Sequence, residues 1–375
     1  MVAMHPIPAD ARLILKPIWF VPTPIGLADG AAVRMGNGLI WFQGYELSAF
    51  SGAQRIARKT IPVADFDIAV ASLPEPQAAR ARCLAANISA PRPPLALGDR
   101  TIRFDAPQVM AILNITPDSF SDGGAHMDDP QAAADAGFGM AAAGAALIDV
   151  GGESTRPKAA MIWEGDEIKR VVPVIERLAA SGVPVSIDTR KAAVMEAALA
   201  AGAGIVNDVS ALAHDPRSLE VVARAGCPVI LMHAPSAGDD PHHNPAGYGD
   251  VVADVFYHLE ARIKACLDAG IARERIMVDP GLGFGKTLSD NLALVNGLAT
   301  FQGLGLPLLF AGSRKRLIGA LSNEAPAADR LGGSVALAFR AAQLGAQMVR
   351  VHDVKESVQA LHLWRGLADA GLSAI

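Results

Sequence analysis

Short apolar runs alternate with longer helix-like stretches from residue 109 to the C-terminus. Eight such runs can be marked, at residues 109–113, 146–150, 184–187, 204–206, 228–232, 275–278, 306–310 and 347–351. They are continuously apolar rather than alternating, as expected for strands buried on both faces of a parallel sheet. A doubly wound open sheet gives the same rhythm, but eight strand–helix units favour an α/β fold of the (β/α)₈ TIM barrel type.

The stretches after the runs predict the helices of the barrel. They cover residues 130–143, 164–180, 191–201, 216–225, 250–269, 288–299, 315–321 with 327–344, and 355–370. In this fold the chemistry lies at the carboxyl ends of the strands. The polar residues that follow each run are therefore the first candidates for a functional site.

The chain before the barrel shows a different order of elements. A proline-rich segment at residues 90–97 cannot hold a regular helix. We interpret residues 1–95 as an N-terminal extension, either a small domain or a cover, and residues 101–375 as the barrel domain. A strand at 101–104, a turn at 105–107 and a strand from Val109 predict a hairpin that plugs the amino end of the barrel.

Composition narrows the class of protein further. Hydrophobic residues make up 51% and charged residues 19% of the 375 positions, which favours a large buried core. The net charge of −5 argues against nucleic acid as the main partner. Three scattered cysteines form no disulfide framework, which favours the cytoplasm. We expect no membrane span, because no run of roughly 18 uncharged apolar residues occurs.

Two carboxylates and an amide follow predicted strands. Asp188 and Asp279 each end an apolar run, where a carboxylate needs a partner. A heterocycle edge with adjacent N–H donors is one such partner, although helix capping explains either residue alone equally well. Asn207 can donate and accept, which suits a mixed heterocycle edge. Turn formation by Asn207 and Asp208 is the alternative.

Cationic residues follow the last two strands. Residues 313–315 (Ser-Arg-Lys) begin a helix, whose N-terminus favours anions. Strand alternation places Arg350 and His352 on one face. Since the loops after strands seven and eight form the usual phosphate site of this fold, we favour an anion site over a surface ion pair with Asp353 or Glu356.

Two polar loops border the same opening. The first begins at Asn114 and ends in glycines at 123–124, as a mobile lid would. The second, residues 151–157, has a similar character.

Two further segments imitate known motifs. Residues 281–287 resemble a phosphate loop, but Pro280 stands where the Walker spacing needs glycine. Phe284 there is interpreted as packing on a flat ligand. Residues 239–243 (DDPHH) could suggest a metal, but adjacent residues rarely converge on one ion. A solvated loop is the favoured interpretation.

Taken together, residues 101–370 resemble the dihydropteroate synthase family, within the pterin-binding barrel superfamily. The motifs that carry the resemblance are ILNITPDSFSDGG at 112–124, DVGGESTRP at 149–157, SIDT at 186–189, ND at 207–208, LMH at 231–233, VDPGLGFGK at 278–286, GSRK at 312–315 and RVHDV at 350–354. The resemblance implies a transferase of folate biosynthesis that joins 6-hydroxymethyl-7,8-dihydropterin diphosphate to p-aminobenzoate, releases pyrophosphate and is a target of sulfonamides.

The resemblance also implies residue roles. Pterin-binding positions match Asp188, Asn207, Asp279 and Lys315, with Met232 and Phe284 as apolar neighbours. Positions around the diphosphate match Asn114, Arg350 and His352, and Asn114 also matches a position near Mg²⁺, the implied cofactor. Thr155 and Arg156 match the second loop, which positions substrates. Family members are commonly homodimers, so residues 327–344 are a candidate interface.

Some features depart from the family pattern. Lys158 stands where a small residue is usual, and residues 234–247 differ in the fifth loop. A methyltetrahydrofolate–corrinoid methyltransferase shares the barrel but would not need the first loop or the 313–315 and 350–352 cluster. A non-catalytic pterin-binding relative is the other alternative, which is disfavoured by the intact Asn114, Asp188, Lys315 and His352.

Overall fold

The computed structural model describes residues 7–98, 100–116, 129–157 and 159–373. The first of these segments folds into an antiparallel sheet and two helices. Its elements are β1 (Arg12–Val21), β2 (Val33–Arg34), β3 (Trp41–Ser51), β4 (Gln54–Pro62), α1 (Phe66–Ala71) and α2 (Glu75–Ser89). Strand β3 lies in the middle and pairs with the other three.

The extension packs against one flank of the barrel. Leu15 and Phe42 are fully buried, and the Phe50 ring meets the Tyr257 ring edge-on at 6.4 Å. Arg92 donates from Nη2 to Gln302 Oε1 at 2.8 Å. The extension and the outer helices of the barrel therefore share one continuous apolar core.

A short hairpin follows, and its predicted pairing is wrong. Strand β5 (Leu95–Leu97) pairs with β6 (Arg100–Ile102), whereas Val109 belongs to the first barrel strand. The proline-rich segment excluded a helix but not a strand, because Pro93 and Pro94 leave an extended backbone that leads into β5. The hairpin does close the amino end of the barrel, where Leu95, Ile102 and Phe104 contact inward-facing strand residues.

The eight predicted apolar runs form the eight parallel strands of the barrel. They are β7 (Gln108–Asn114), β8 (Leu147–Gly151), β9 (Val185–Asp188), β10 (Ile205–Asp208), β11 (Val229–Met232), β12 (Ile276–Asp279), β13 (Leu309–Phe310) and β14 (Met348–Val351). Their order is β12-β11-β10-β9-β8-β7-β14-β13, and a parallel bridge between Val278 and Leu308 joins the two ends. The TIM barrel prediction is confirmed.

Helices surround the barrel close to their predicted positions. They are α3 (Pro130–Ala142), α4 (Glu164–Ala180), α5 (Ala192–Ala200), α6 (Ser218–Ala225), α7 (Val251–Asp268), α8 (Leu288–Asn296), α9 (Arg316–Leu321), α10 (Leu331–Gln343) and α11 (Val354–Ala370). Helix α8 ends earlier than predicted because the chain turns into a 3₁₀ helix (Leu298–Leu304) after Gly297. Across the residues described, no helix combines the length and apolar character needed to cross a membrane.

Inward-facing side chains change character along the barrel axis. At the amino end, apolar residues of seven strands form one cluster with the hairpin: Met110, Leu147, Ile205, Ile230, Met277, Leu309 and Met348. Two residues further along, alternation returns Asp149, Asn207, Asp279 and Arg350 to the inner face. The carboxyl end, called the mouth below, is therefore the polar end of the barrel interior.

Candidate active site

Two buried carboxylates share one guanidinium in the mouth. Arg350 donates from Nε to Asp149 Oδ2 at 2.6 Å and from Nη2 to Asp188 Oδ2 at 2.7 Å. Burial raises the pKa of Asp188 to about 7, with Arg350 opposing the shift and Asp149 adding to it. Arg350, predicted to face an anion, is thus a partner of the carboxylates that were expected to bind a heterocycle. Arg350 pairs with Asp149 and Asp188 and not with Asp353 or Glu356, so the surface ion pair considered for Arg350 is not formed.

Asn207 and Asp208 have separate roles, since neighbours on a strand point to opposite faces. Asn207 donates from Nδ2 to Asp149 Oδ2 at 3.0 Å, inside the mouth. Asp208 instead accepts from the backbone of Ser210 at 2.7 Å and of Leu212 at 3.0 Å. The turn interpretation is confirmed for Asp208, whereas Asn207 faces the mouth and its contact with a heterocycle stays a prediction.

Asp149 connects these groups, and the sequence reasoning did not select it. Its side chain is fully buried and accepts from Arg350, Asn207 and Ser186. A charged residue within an otherwise apolar strand was the available signal. We group Asp149, Asp188 and Asp279 as the acid wall.

Asp279, the third carboxylate of the acid wall, interacts electrostatically with Lys315. Asp279 Oδ1 accepts from the Gly281 backbone at 2.8 Å. Burial lowers the pKa of Lys315 to about 8, while the negative charge of Asp279 opposes the shift. Burial also raises the pKa of Asp279. The two side chains therefore stabilise each other's charged forms in a poorly solvated place.

Apolar residues form a separate surface beside Lys315. Met232 and Phe284 cluster with Val209 and Ala234. The Lys315 Nζ atom lies 4.7 Å from the centroid of the Phe284 ring, a cation–π distance. An apolar surface and a cation therefore lie side by side here.

His352 and Ser313 meet where strands seven and eight end. The His352 Nδ1 atom lies 3.0 Å from Ser313 Oγ. Burial lowers the pKa of His352 to about 3, and Arg314 and Arg350 lower it further, so the imidazole is neutral near pH 7. Arg314 donates from Nε to Asp353 Oδ2 at 3.1 Å. The ion pair weighed for Arg350 is therefore made by Arg314.

The loops enclose a cavity of about 1370 Å³ above these groups. Asn114 ends β7 opposite Gly151 of β8, and Thr155 and Arg156 of the second loop also line the cavity. Residues 117–128 and Lys158 lie outside the described residues, so the lid prediction and the effect of Lys158 are not addressed by the structure.

The fifth and sixth loops contain two functional candidates that sequence reasoning missed. Half-buried His242 lines the cavity, so the solvated-loop interpretation is wrong for this residue. Lys286 donates to the carbonyls of Gly281 at 2.8 Å and Phe284 at 3.1 Å. Burial lowers the pKa of Lys286 to about 7. The GFGK motif contained Lys286, but only the folded loop shows that it binds the backbone carbonyl of Phe284.

These features define a class of protein: a barrel enzyme whose mouth sets buried carboxylates beside an apolar surface, an arrangement suited to a flat, donor-rich heterocycle. The model of a family described as pterin-binding enzymes matches residues 110–352.

Individual relatives narrow the class. The dihydropteroate synthase of Escherichia coli K12 is 46% identical over 269 residues, covering 72% of this chain and 93% of that protein. The Xanthomonas albilineans dihydropteroate synthase in complex with 7,8-dihydropteroate is 45% identical with a TM-score of 0.66, covering 73% and 98% of the two chains. The Yersinia pestis enzyme in a sulfonamide drug complex is 43% identical with a TM-score of 0.70, covering 74% and 99%. The chain therefore belongs to the dihydropteroate synthase family, a family of transferases, and the resemblance seen in its motifs is confirmed.

Proposed function

We propose that the mouth condenses 6-hydroxymethyl-7,8-dihydropterin diphosphate with p-aminobenzoate, giving 7,8-dihydropteroate and pyrophosphate for folate biosynthesis. Membership of the dihydropteroate synthase family carries the assignment. The observation in this chain that supports it most is the acid wall: Asp188 lines the cavity together with Lys315 and Arg350 and binds Arg350, and the charge of Asp279 stabilises the protonated form of Lys315.

The pterin binds against the acid wall in this proposal. Ionised Asp188 and Asp279 accept hydrogen bonds from the aminopyrimidine edge, which offers adjacent N–H donors. Asn207 supplies a donor and an acceptor to the same edge. Met232 and Phe284 pack against the ring, where they already form an apolar cluster.

The diphosphate lies toward Asn114, Arg350 and His352. Since His352 is neutral, it contributes a hydrogen-bond donor rather than the positive charge first expected of it. Arg350 supplies charge, and its bonds to Asp149 and Asp188 set its orientation.

Mg²⁺ fits this end of the site. Within the described ranges no three His, Cys, Asp or Glu side chains converge as a metal cage. Mg²⁺ commonly takes one or two protein oxygens together with substrate phosphates and water. Asn114 lines the cavity and has an amide oxygen that could serve as such a ligand. When bound, the ion would neutralise charge on the diphosphate.

The chemistry needs no covalent enzyme intermediate. The bond between the pterin methylene and the diphosphate oxygen breaks, and both electrons leave with pyrophosphate. The resulting cation is stabilised by the pterin ring and the negative charge of Asp188. The p-aminobenzoate nitrogen then bonds to the methylene carbon and releases a proton.

The p-aminobenzoate pocket lies between the second and sixth loops. Thr155, Arg156 and Phe284 line that part of the cavity, and the carboxylate lies near the start of α9 at Lys315 and Arg316. Sulfonamides, which imitate p-aminobenzoate, would compete there.

A pyrophosphate-release assay with both substrates tests the proposal. Release should require p-aminobenzoate and fall when EDTA removes Mg²⁺. Binding of the pterin diphosphate without p-aminobenzoate-dependent release would instead favour a non-catalytic relative. Titration with a sulfonamide should raise the apparent KM for p-aminobenzoate without changing kcat.

Assembly and location are part of the same proposal. A homodimer through the region of α10 is supported by the exposed Leu331, and by Leu363 and Leu367 on the adjacent α11. Sedimentation should give twice the monomer mass. The three free cysteines support a cytoplasmic location.

A further inference from the structure

The fifth loop, residues 233–250, carries His242 across the mouth. We infer that His242 is a positioning residue that fixes the second and sixth loops around p-aminobenzoate and so sets the affinity for this arylamine. The inference deepens the proposed function and rests on it.

Both nitrogens and the face of the His242 ring are engaged. Nε2 lies 2.9 Å from the Thr155 carbonyl oxygen in the second loop. The Gly285 backbone N–H in the sixth loop donates to Nδ1 at 3.4 Å. The two contacts are satisfied when Nε2 donates and Nδ1 accepts. One imidazole thus joins two loops that are distant in sequence.

The ring also stacks on Phe284. The two ring centroids are 4.7 Å apart and the planes differ by 10°. Phe284 is the residue that also contacts the Lys315 ammonium. The orientation of the Phe284 ring, called the aromatic wall below, therefore depends on His242 as well as on the backbone of its own loop.

The fifth loop is fastened firmly enough to hold His242 in place. The Arg190 guanidinium donates to the Gly238 carbonyl at 2.9 Å, and Asp240 accepts from the His242 backbone at 2.9 Å. Asn244 donates to the Gly285 carbonyl at 3.1 Å. A Cβ at Gly285 would lie 2.8 Å from the His242 carbonyl oxygen, so the two loops touch with no room for a side chain.

The position of these contacts indicates which substrate should respond. His242 contacts Thr155 and Phe284, which line the p-aminobenzoate pocket, and of these only Phe284 also packs on the pterin. The polar edge of the pterin is bound by the acid wall, which is held by Asn207 and Arg350 and not by His242. Loss of the His242 contacts should therefore weaken arylamine binding far more than pterin binding. Because His242 acts through other residues, KM should change more than kcat.

The test compares His242→Ala with His243→Ala, a change at the exposed neighbouring histidine. For His242→Ala we expect the KM for p-aminobenzoate to rise about tenfold, with the KM for the pterin diphosphate within about twofold of the parent. His243→Ala should match the parent in both constants. Far-ultraviolet circular dichroism and a thermal melt of each variant establish that it is folded.

Two conservative variants separate the contacts. His242→Phe keeps the stack on Phe284 and loses both hydrogen bonds, while His242→Gln keeps a donor and an acceptor and loses the ring. Each should restore part of the p-aminobenzoate affinity, and they serve as the test if His242→Ala fails to fold.

Three outcomes would overturn the inference: an unchanged KM for p-aminobenzoate in all His242 variants, an equal rise in both KM values, or the same effect from His243→Ala. If the parent protein does not condense the pterin diphosphate with p-aminobenzoate, the proposed function is overturned instead.

Discussion

The two ends of the barrel interior are built from the same strands and carry opposite chemistry. At the amino end, Met110, Leu147 and Met348 pack with the β5–β6 hairpin and Phe104 into an apolar plug. Two residues further along β8 and β14, Asp149 and Arg350 form a buried ion pair. A step of two residues, which preserves the direction of a side chain in a strand, separates an apolar core from a reactive site.

The difference shows how the barrel divides stability from function. The plug removes apolar surface from water, which stabilises the fold by roughly 25 cal/mol per Å². The mouth removes charges from water, which costs free energy unless partners are supplied. The raised pKa of Asp188 and the lowered pKa of Lys315 record that cost. A ligand with complementary donors and charge would offset it.

The largest expected effect comes from removing one charge of the acid wall. In Asp188→Asn the pterin edge and the developing cation lose their negative partner, so kcat/KM should fall about 10²–10³-fold. If the mouth serves function rather than stability, the free energy of unfolding of this variant should change far less than its activity. Asp239→Asn, at an exposed position, is the control. Unchanged turnover in Asp188→Asn would remove the proposed role.

A change in the plug should have the reverse pattern. Phe104→Ala leaves a cavity beneath the strands and should lower the free energy of unfolding by about 3–5 kcal/mol. Denaturant unfolding measures this, with Ile102→Val as a milder variant, expected to cost about 0.5–1.5 kcal/mol. Well below the melting temperature, kcat should remain that of the parent. A large loss of kcat in folded Phe104→Ala would show that the two ends are coupled.

The pH dependence tests the mouth alone. Asp188 must be ionised and Lys315 protonated, so kcat/KM should have apparent pKa values near 7 and 8 and fall about tenfold per pH unit on either side. On the acid side of the profile, kcat/KM rises with pH, whereas the contribution of Asp188 to the stability of the fold decreases. The folded chain holds a proton on Asp188 that the unfolded chain releases, so its contribution to stability declines as pH rises from 3.8 to about 7. A flat profile between pH 5 and 9 would contradict these assignments.

The smallest effect is expected where the extension meets the barrel near the fifth loop. Arg55 pairs with Asp250, which caps α7, but both side chains are partly exposed. Arg55→Ala should therefore cost less than about 1 kcal/mol and change KM by less than about twofold. Arg58→Ala, which breaks a pair with Glu46 inside the extension, is the matched control. A tenfold change in KM from Arg55→Ala would place the extension within the functional unit.

Residues close together in sequence were the predictable part of the fold and the site. The eight runs matched the strands within a few residues, because a strand buried on both faces needs a continuous apolar stretch. Asp188 and Asp279 were found by the same logic, since a charge that ends such a stretch must reach the mouth. The predicted pairing of the hairpin was wrong because no local feature shows whether β6 pairs with the preceding strand β5 or with the strand that contains Val109.

Long-range partners were not predictable. Asp149 and Arg350 are 201 residues apart, and their bond changes Arg350 from an isolated anion ligand into a partner of the acid wall. His242 and Thr155 are 87 residues apart, so the local DDPHH pattern at residues 239–243 gave no sign of the contact.

The sequence by itself determined the barrel, the polar end of its strands and the membership of a family, because hydrophobic periodicity and contiguous motifs are local properties. The tertiary structure decided which charges neutralise each other, which histidine is neutral and which loop supports the aromatic wall. Those outcomes depend on distances and burial, which exist only after closure of the barrel brings strands from both halves of the chain to one mouth.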